Sequence, residues 1–234
     1  MKKEQYFTAE NMAQKSRELL GELEGFRSRH DLTISSKRSA LLILDMQRYF
    51  LEESSHAFIP AAKAIIPCIA KLAQVYSQNS LPIVFTHHLN TATDAKMMAM
   101  WWRDLIKRDN PLSEITPEFN LSNGIIIEKS QYDAFHETRL EEVLRQSGVS
   151  QVVICGVMTH LCCETTARSA FVRGFEVFFT IDGTATYNEA FHRATLLNLA
   201  HGFAVPVLID EILAALATTR HREHGPPTCR GASR

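Results

Sequence analysis

Six short apolar runs, alternating with stretches of helical character, constrain this chain more than any other feature. The runs are residues 40–44 (ALLIL), 82–88 (PIVFTHH), 124–128 (GIIIE), 151–155 (QVVIC), 175–181 (FEVFFTI) and 204–207 (AVPV). Continuous apolar runs of this length, rather than alternating ones, are what strands look like when both faces are covered. Helical patterns occupy 9–26, 60–79, 137–147, 160–173, 189–201 and 208–219. Pro60 suits a helix start, and Gly148, Gly174 and Gly202 suit helix ends. Strand–helix units repeated in this way predict an α/β fold: a three-layer αβα sandwich around a Rossmann-like, six-stranded, mostly parallel sheet.

The size of the chain, 234 residues, suits one such unit. The expected organisation is a single domain, 1–234, with a core at about 38–210, an N-terminal helix at 9–26 and a Gly/Pro/Arg-rich tail at 221–234. The helix, with Leu19, Leu20 and Leu23 on one side, packs either on the domain or on a partner subunit. A hydrophobic content of 45% is too high for a disordered chain, and a net charge of -1 offers no broad basic field for nucleic acid or an anionic membrane. No 18-residue apolar run suggests a transmembrane helix, and the first 25 residues lack the apolar stretch of a secretory signal. The five cysteines, at 68, 155, 162, 163 and 229, form no C-x-x-C pair and no disulfide framework. These readings predict a soluble cytoplasmic protein that acts on a small molecule and binds neither nucleic acid nor membrane.

Open parallel sheets bind ligands outside the carboxyl ends of their strands. Those positions are Asp45 after the first strand, His87 and His88 after the second, Lys129 after the third, Gly156 to Cys162 after the fourth and Asp182 after the fifth. Cys162 falls at the first turn of the expected fourth-strand helix, where free N–H groups and the helix dipole favour a thiolate and can hold an oxyanion. Asp45 is a carboxylate suited to take its proton, and Lys129 a cation suited to stabilise both. Each residue also has a plain reading: the cysteine as a small core residue, the aspartate as a turn former, the lysine as a solvated surface group. Cys68, Cys155 and Cys163 keep that reading. His87 and His88 leave opposite faces of a strand, His221 and His224 sit in the tail, and no zinc-binding spacing occurs, so no metal is expected. Phosphate-binding glycine motifs and a G-x-S-x-G elbow are absent, and no cofactor is expected.

Three blocks carry a resemblance to a known family: LLILDMQRYF (41–50), EKSQYDAF (128–135) and ICGVMTHLCCETTARSAFVRGFEV (154–177). Together they resemble the isochorismatase-like hydrolases, which include nicotinamidases, N-carbamoylsarcosine amidohydrolases and isochorismatases. The resemblance implies an Asp–Lys–Cys triad, with Asp45 as base, Lys129 as electrostatic partner and Cys162 as nucleophile. It also implies a cis peptide between Val157 and Met158, an oxyanion hole at Met158 and Cys162, and assembly as a dimer or tetramer. F-T-H-H-L-N stands where nicotinamidase-type members carry D-x-H, which leads away from a metal and from that activity. Isochorismatases proper share D-M-Q-x-Y-F and K-x-x-Y-x-A-F but carry glycine at the Cys162 position. The leading expectation is therefore a cysteine hydrolase of a small amide, ureido or related C–N bond. The alternatives are vinyl ether hydrolysis through Asp45 without covalent attack, or a silent binding member. Substrate-binding candidates are His88, Gln131, Tyr132, Phe135 and His160. Trp101 and Trp102, in the irregular 90–123 stretch, are candidates for a lid or for a subunit interface.

Overall fold

A computed structural model describes residues 2–30 and 32–223; most of the 221–234 tail, with Cys229 and His224, lies outside them. In chain order the elements are α1 (Met12–Arg27), β1 (Ser39–Leu44), α2 (Arg48–Leu51), α3 (Ala62–Gln78), β2 (Ile83–His88), α4 (Met98–Trp101), β3 (Ile125–Lys129), α5 (Leu140–Gln146), β4 (Gln151–Val157), α6 (Glu164–Val172), β5 (Glu176–Ala185), α7 (Glu189–Gly202), β6 (Val205–Val207) and α8 (Ile209–Glu223). The strands form one sheet in the order β3-β2-β1-β4-β5-β6, every neighbouring pair parallel. Helices α3 and α8 pack together on one face and α1, α6 and α7 on the other, which makes the three-layer αβα sandwich. No helix among the described residues is long and apolar enough to cross a membrane.

The central apolar runs become strands because the helical layers bury both of their faces, whereas β3, at the sheet edge, leaves Ile125, Ile126 and Glu128 exposed, unlike the covered strand its apolar run suggested. Every residue of β1 and of β4 is buried. Helix α1 begins three residues later than its pattern suggested and seals the α7 side of the domain through Leu19 and Leu23, both buried. Gly148 and Gly174 take positive φ of 68° and 80°, closing α5 and α6 as expected of glycines after a helix.

Two differences from the sequence pattern matter for the site. Strand β5 runs on to Ala185, so Asp182 lies inside it and not at its end. Its carboxylate accepts the N–H of Ile209 at 2.9 Å, capping the start of α8. The helix expected from residue 160 starts instead as a π-helical turn, Thr159–Cys163, and only then becomes α6.

Chain order reverses between β1 and β4. From β1 the sheet grows outward through β2 to β3, and β4 restarts it on the other side. The crevice outside the carboxyl ends of these two central strands is where such sheets bind ligands. At that point the two backbones nearly touch. Gly156, paired with Leu44, has φ of +115°, and a Cβ there would lie 2.1 Å from the Leu44 carbonyl oxygen. Only glycine fits, because it alone adopts this φ without strain and adds no atom to the gap.

Candidate active site

Asp45 is the first residue beyond β1 and takes a left-handed conformation, φ 52°. Aspartate tolerates this region better than most residues. A reciprocal pair of bonds locks it in place. The Asp45 N–H donates to Thr86 Oγ1 (2.9 Å), and the Thr86 hydroxyl donates to Asp45 Oδ1 (2.5 Å). Thr86 and His88 are two apart on β2 and so share a face, while His87 points away to the Ser113 carbonyl.

Lys129 ends β3 and carries its ammonium to the centre of the cluster. Nζ lies 2.8 Å from Asp45 Oδ2, 3.4 Å from Cys162 Sγ, 3.0 Å from His88 Nδ1 and 2.9 Å from the Gln131 carbonyl. The side chains of Lys129 and Asp45 are wholly buried. Because Lys129 donates to His88 Nδ1, the ring proton resides on Nε2 and donates to Asn90 Oδ1 at 3.0 Å. Asn90 is tied in turn to the Ser130 carbonyl. Gln47 fixes the backbone of His88 from both sides, accepting its N–H and donating to its carbonyl.

This packing sets the protonation states. Burial opposes an ionised Asp45 most strongly, but the charge of Lys129 together with His88 and the hydrogen bonds from Cys162 and Lys129 outweighs it and holds the carboxyl below its ordinary range. Burial likewise opposes the Lys129 cation, and Asp45 and Cys162 outweigh it, so the ammonium is retained. Burial and the nearby ammonium push His88 down to about 4, leaving the ring neutral. Cys162 moves the other way: burial and then the Asp45 charge push its thiol up, against the pull of Lys129. The resting site therefore holds a carboxylate–ammonium pair and a neutral thiol. The sequence suggested a thiolate favoured at a helix start. The structure corrects this, because Cys162 sits in the π-helical turn ahead of α6 and faces a carboxylate.

Asp45, His88 and Cys162 present donor atoms all within 4.8 Å of one another, a set of the type that holds zinc. Lys129 Nζ stands against all three. An ammonium thus fills the place a metal ion would take, and the donor set does not fit a metal while Lys129 remains there.

Above Cys162 lies a small cavity of about 70 Å³, room for about two waters at liquid density. Besides Cys162 and His88 its wall is largely aromatic and aliphatic: Tyr49, Phe50, Trp102, Ile106, Tyr132 and Tyr187. No lysine or arginine lines it among the described residues. Trp102 Nε1 donates to Tyr132 Oη at 2.6 Å, joining two expected binding residues into one wall.

Other candidates sit elsewhere. Phe135 is in the core, stacked on Phe175, and Gln131 donates to the Asp94 carbonyl, pinning the 90–123 stretch. His160 bonds Thr186 Oγ1 and stacks on Phe191, outside the cavity wall. Trp101 is 75% exposed, pointing away from the cavity that its neighbour lines. The peptide between Val157 and Met158 is cis, where the resemblance places it. Sequence reading passed over Thr86 and Tyr49. Thr86 was reachable from the two-residue period of β2, whereas Tyr187, Leu105 and Ile106 come from loops with no pattern to mark them.

The isochorismatase domain model matches residues 39–211. Nicotinamidase 3 of Arabidopsis thaliana is 42% identical over 187 residues, covering 78% of this chain and 90% of that protein. The chain belongs to the isochorismatase family. Enterobactin synthase component B of Escherichia coli K12 is 30% identical over 191 residues, 79% of this chain and 66% of that longer one. Among solved structures, a cysteine hydrolase from Pseudomonas syringae pv. phaseolicola 1448A superposes with a TM-score of 0.77 at 24% identity, covering 80% of this chain and 96% of that one. With its Asp45, His88 and Cys162 cluster, this isochorismatase-family member is a hydrolase whose site suits cysteine chemistry.

Proposed function

We propose that the protein hydrolyses the carboxamide of a small, uncharged ring compound through a thioester on Cys162. One observation carries the reading: a thiol paired with a buried carboxylate and ammonium lies at the floor of an aromatic cavity that no lysine or arginine lines among the described residues. Isochorismate carries two carboxylates, and burying them here would leave both unpaired, which is costly. A neutral aromatic amide meets no such penalty. The identity with Nicotinamidase 3 supports the amide over the vinyl ether, against the lean that the missing D-x-H motif gave.

In the first step Asp45 takes the Cys162 proton as sulfur attacks the carbonyl carbon. Lys129 stays protonated, so the ion pair becomes an ammonium facing developing sulfur charge and a neutral carboxylic acid. The N–H groups of Met158 and Cys162 hold the oxyanion. Collapse breaks the C–N bond, and the proton on Asp45 passes to the leaving nitrogen, which departs as ammonia. Asp45, again a carboxylate, draws a proton from water, which attacks the thioester and releases the carboxylic acid and the thiol.

The test is ammonia release from nicotinamide by wild type, Cys162→Ala and Asp45→Asn, beside pyruvate release from isochorismate. Turnover of the amide by wild type alone is expected. Pyruvate release that survives in Cys162→Ala would replace this reading with ether hydrolysis.

A further inference from the structure

The matched domain begins at residue 39, yet the chain's first residues reach the substrate cavity. Lys3 Nζ donates to the His56 carbonyl at 2.5 Å and lies 4.6 Å from the centre of the Tyr187 ring. Both partners line the cavity, one from the loop after α2 and the other from the loop after β5. The His56 ring packs edge-on against Tyr49, a third wall residue, with ring centres 5.5 Å apart.

The segment that carries Lys3 is firmly seated. Tyr6 and Phe7 are buried and gather round His192, and Tyr6 Oη accepts the N–H of Thr186 at 3.0 Å. The Glu4 N–H donates to the Tyr187 carbonyl at 2.7 Å, and a Glu4 carboxylate oxygen accepts the N–H of Glu189. Asn11 and Thr8 exchange backbone-to-side-chain bonds that fix the entry into α1. Residues 3–8 thus run as a strap over the β5–α7 loop and end in a cation that joins this loop to the one after α2.

We propose that this strap is a positioning element for the substrate cavity, with Lys3 holding the Tyr187 and His56 walls at their spacing. The inference deepens the amide-hydrolase reading and, for its kinetic arm, rests on it. Lys3 touches neither Cys162 nor the atoms that react, so its removal acts on binding and leaves the chemical step alone.

The experiment compares wild type with Lys3→Met, which keeps the stem without the charge, and Lys3→Arg, which keeps a cation able to sit over a ring and donate to a carbonyl. With nicotinamide, Lys3→Met is expected to raise KM about tenfold, equivalent to about 1.4 kcal/mol, with kcat and the melting temperature unchanged. Lys3→Arg is expected to recover most of the loss. A second arm needs no turnover: alkylation of Cys162, followed by peptide mass mapping, with iodoacetamide and with the bulkier N-ethylmaleimide. Lys3→Met should speed the maleimide reaction relative to iodoacetamide, because a slackened wall admits the larger reagent. An unchanged KM, a fall in kcat and melting temperature alike in both variants, or an unchanged reagent ratio would overturn the proposal. If wild type hydrolyses no amide, the functional reading fails and the reagent ratio alone decides the strap.

Discussion

Replacing Asp45 by asparagine should kill turnover and at the same time make Cys162 more reactive. In the wild type the thiol faces a carboxylate no more than 4.8 Å away and an ammonium at 3.4 Å that the carboxylate already neutralises. Forming a thiolate there places a second negative charge beside the first. Even at the outer bound of 4.8 Å and an effective dielectric of about 20, that repulsion amounts to at least about 3.5 kcal/mol. Removing it raises the thiolate fraction at a fixed pH roughly 300-fold. A more acidic thiol is a weaker nucleophile, with sensitivity near one half, so the net gain in alkylation rate is about 25-fold. Asparagine also leaves Lys129 without a counterion, so thiolate formation restores a neutral pair. Breaking a buried ion pair costs about 3–5 kcal/mol of stability, so the measurement is made on protein shown folded by circular dichroism. The assay is the rate of iodoacetamide labelling at Cys162, read by peptide mass mapping from pH 5.5 to 10. The Asp45→Asn profile should rise at lower pH than wild type, while amide turnover falls by about 10²- to 10⁴-fold, the range for losing a general base. An Asp45→Asn protein labelled at the wild-type rate or slower would refute the assignment of a neutral thiol held back by Asp45.

Other outcomes follow from individual contacts. Burial raises Asp182 to about 6, above the unfolded value of about 3.9, so the folded state binds its proton more tightly. The resulting penalty is absent below about pH 4, grows as pH rises toward 6 and is complete above it, at about 3 kcal/mol. Asp182→Asn keeps an acceptor for Ile209 and should stabilise the protein at pH 8 but not at pH 4; urea midpoints that move equally at both would contradict this. Gly156→Ala drives a methyl group into the Leu44 carbonyl at an unfavourable φ, and should cost about 3 kcal/mol or more in urea unfolding. Thr86→Val removes both bonds that lock Asp45. It should lower kcat about 10- to 100-fold with little change in KM, the loss of a charge-assisted bond being worth about 1.5–3 kcal/mol. Lys129→Met should abolish turnover and leave Asp45 buried without a cation, so that its carboxyl takes up a proton more readily than in wild type; a normal rate in this variant would remove Lys129 from the mechanism.

The sheet was legible in the sequence because a parallel strand covered on both faces leaves an uninterrupted apolar run, as in ALLIL and QVVIC. Asp45, Lys129 and Cys162 were legible as residue types at strand ends, and the resemblance to the isochorismatase-like hydrolases assigned them roles. What stayed hidden depends on distances through space. The state of the Cys162 thiol follows from its nearness to Asp45, and the seating of Lys129 among three donors from the register of β2 and β3. Neither has a local signature. Phe135 and His160 fall in the same blocks as Tyr132 and Leu161, which line the cavity, and only their packing, on Phe175 and Phe191, separates them. Lys3 was invisible because a cation in a short polar opening segment reads as solvent-facing.

The near-contact of Gly156 with Leu44 joins the base and the nucleophile through the main chain. Asp45 follows Leu44 directly, and the turn bearing Cys162 starts a few residues beyond Gly156, so their spacing is carried by two backbones pressed together in the middle of the sheet. Much of the cavity wall beyond His88, Leu161 and Cys162 comes from elsewhere: Tyr49 and His56, Trp102 and Asp104 to Ile106, Tyr132, and Tyr187 with its N-terminal strap. The scaffold thereby separates bond breaking from substrate choice. Loops can be exchanged, lengthened or strapped to fit a different ring, and the spacing of base and nucleophile stays in register because it is set by the two central strands.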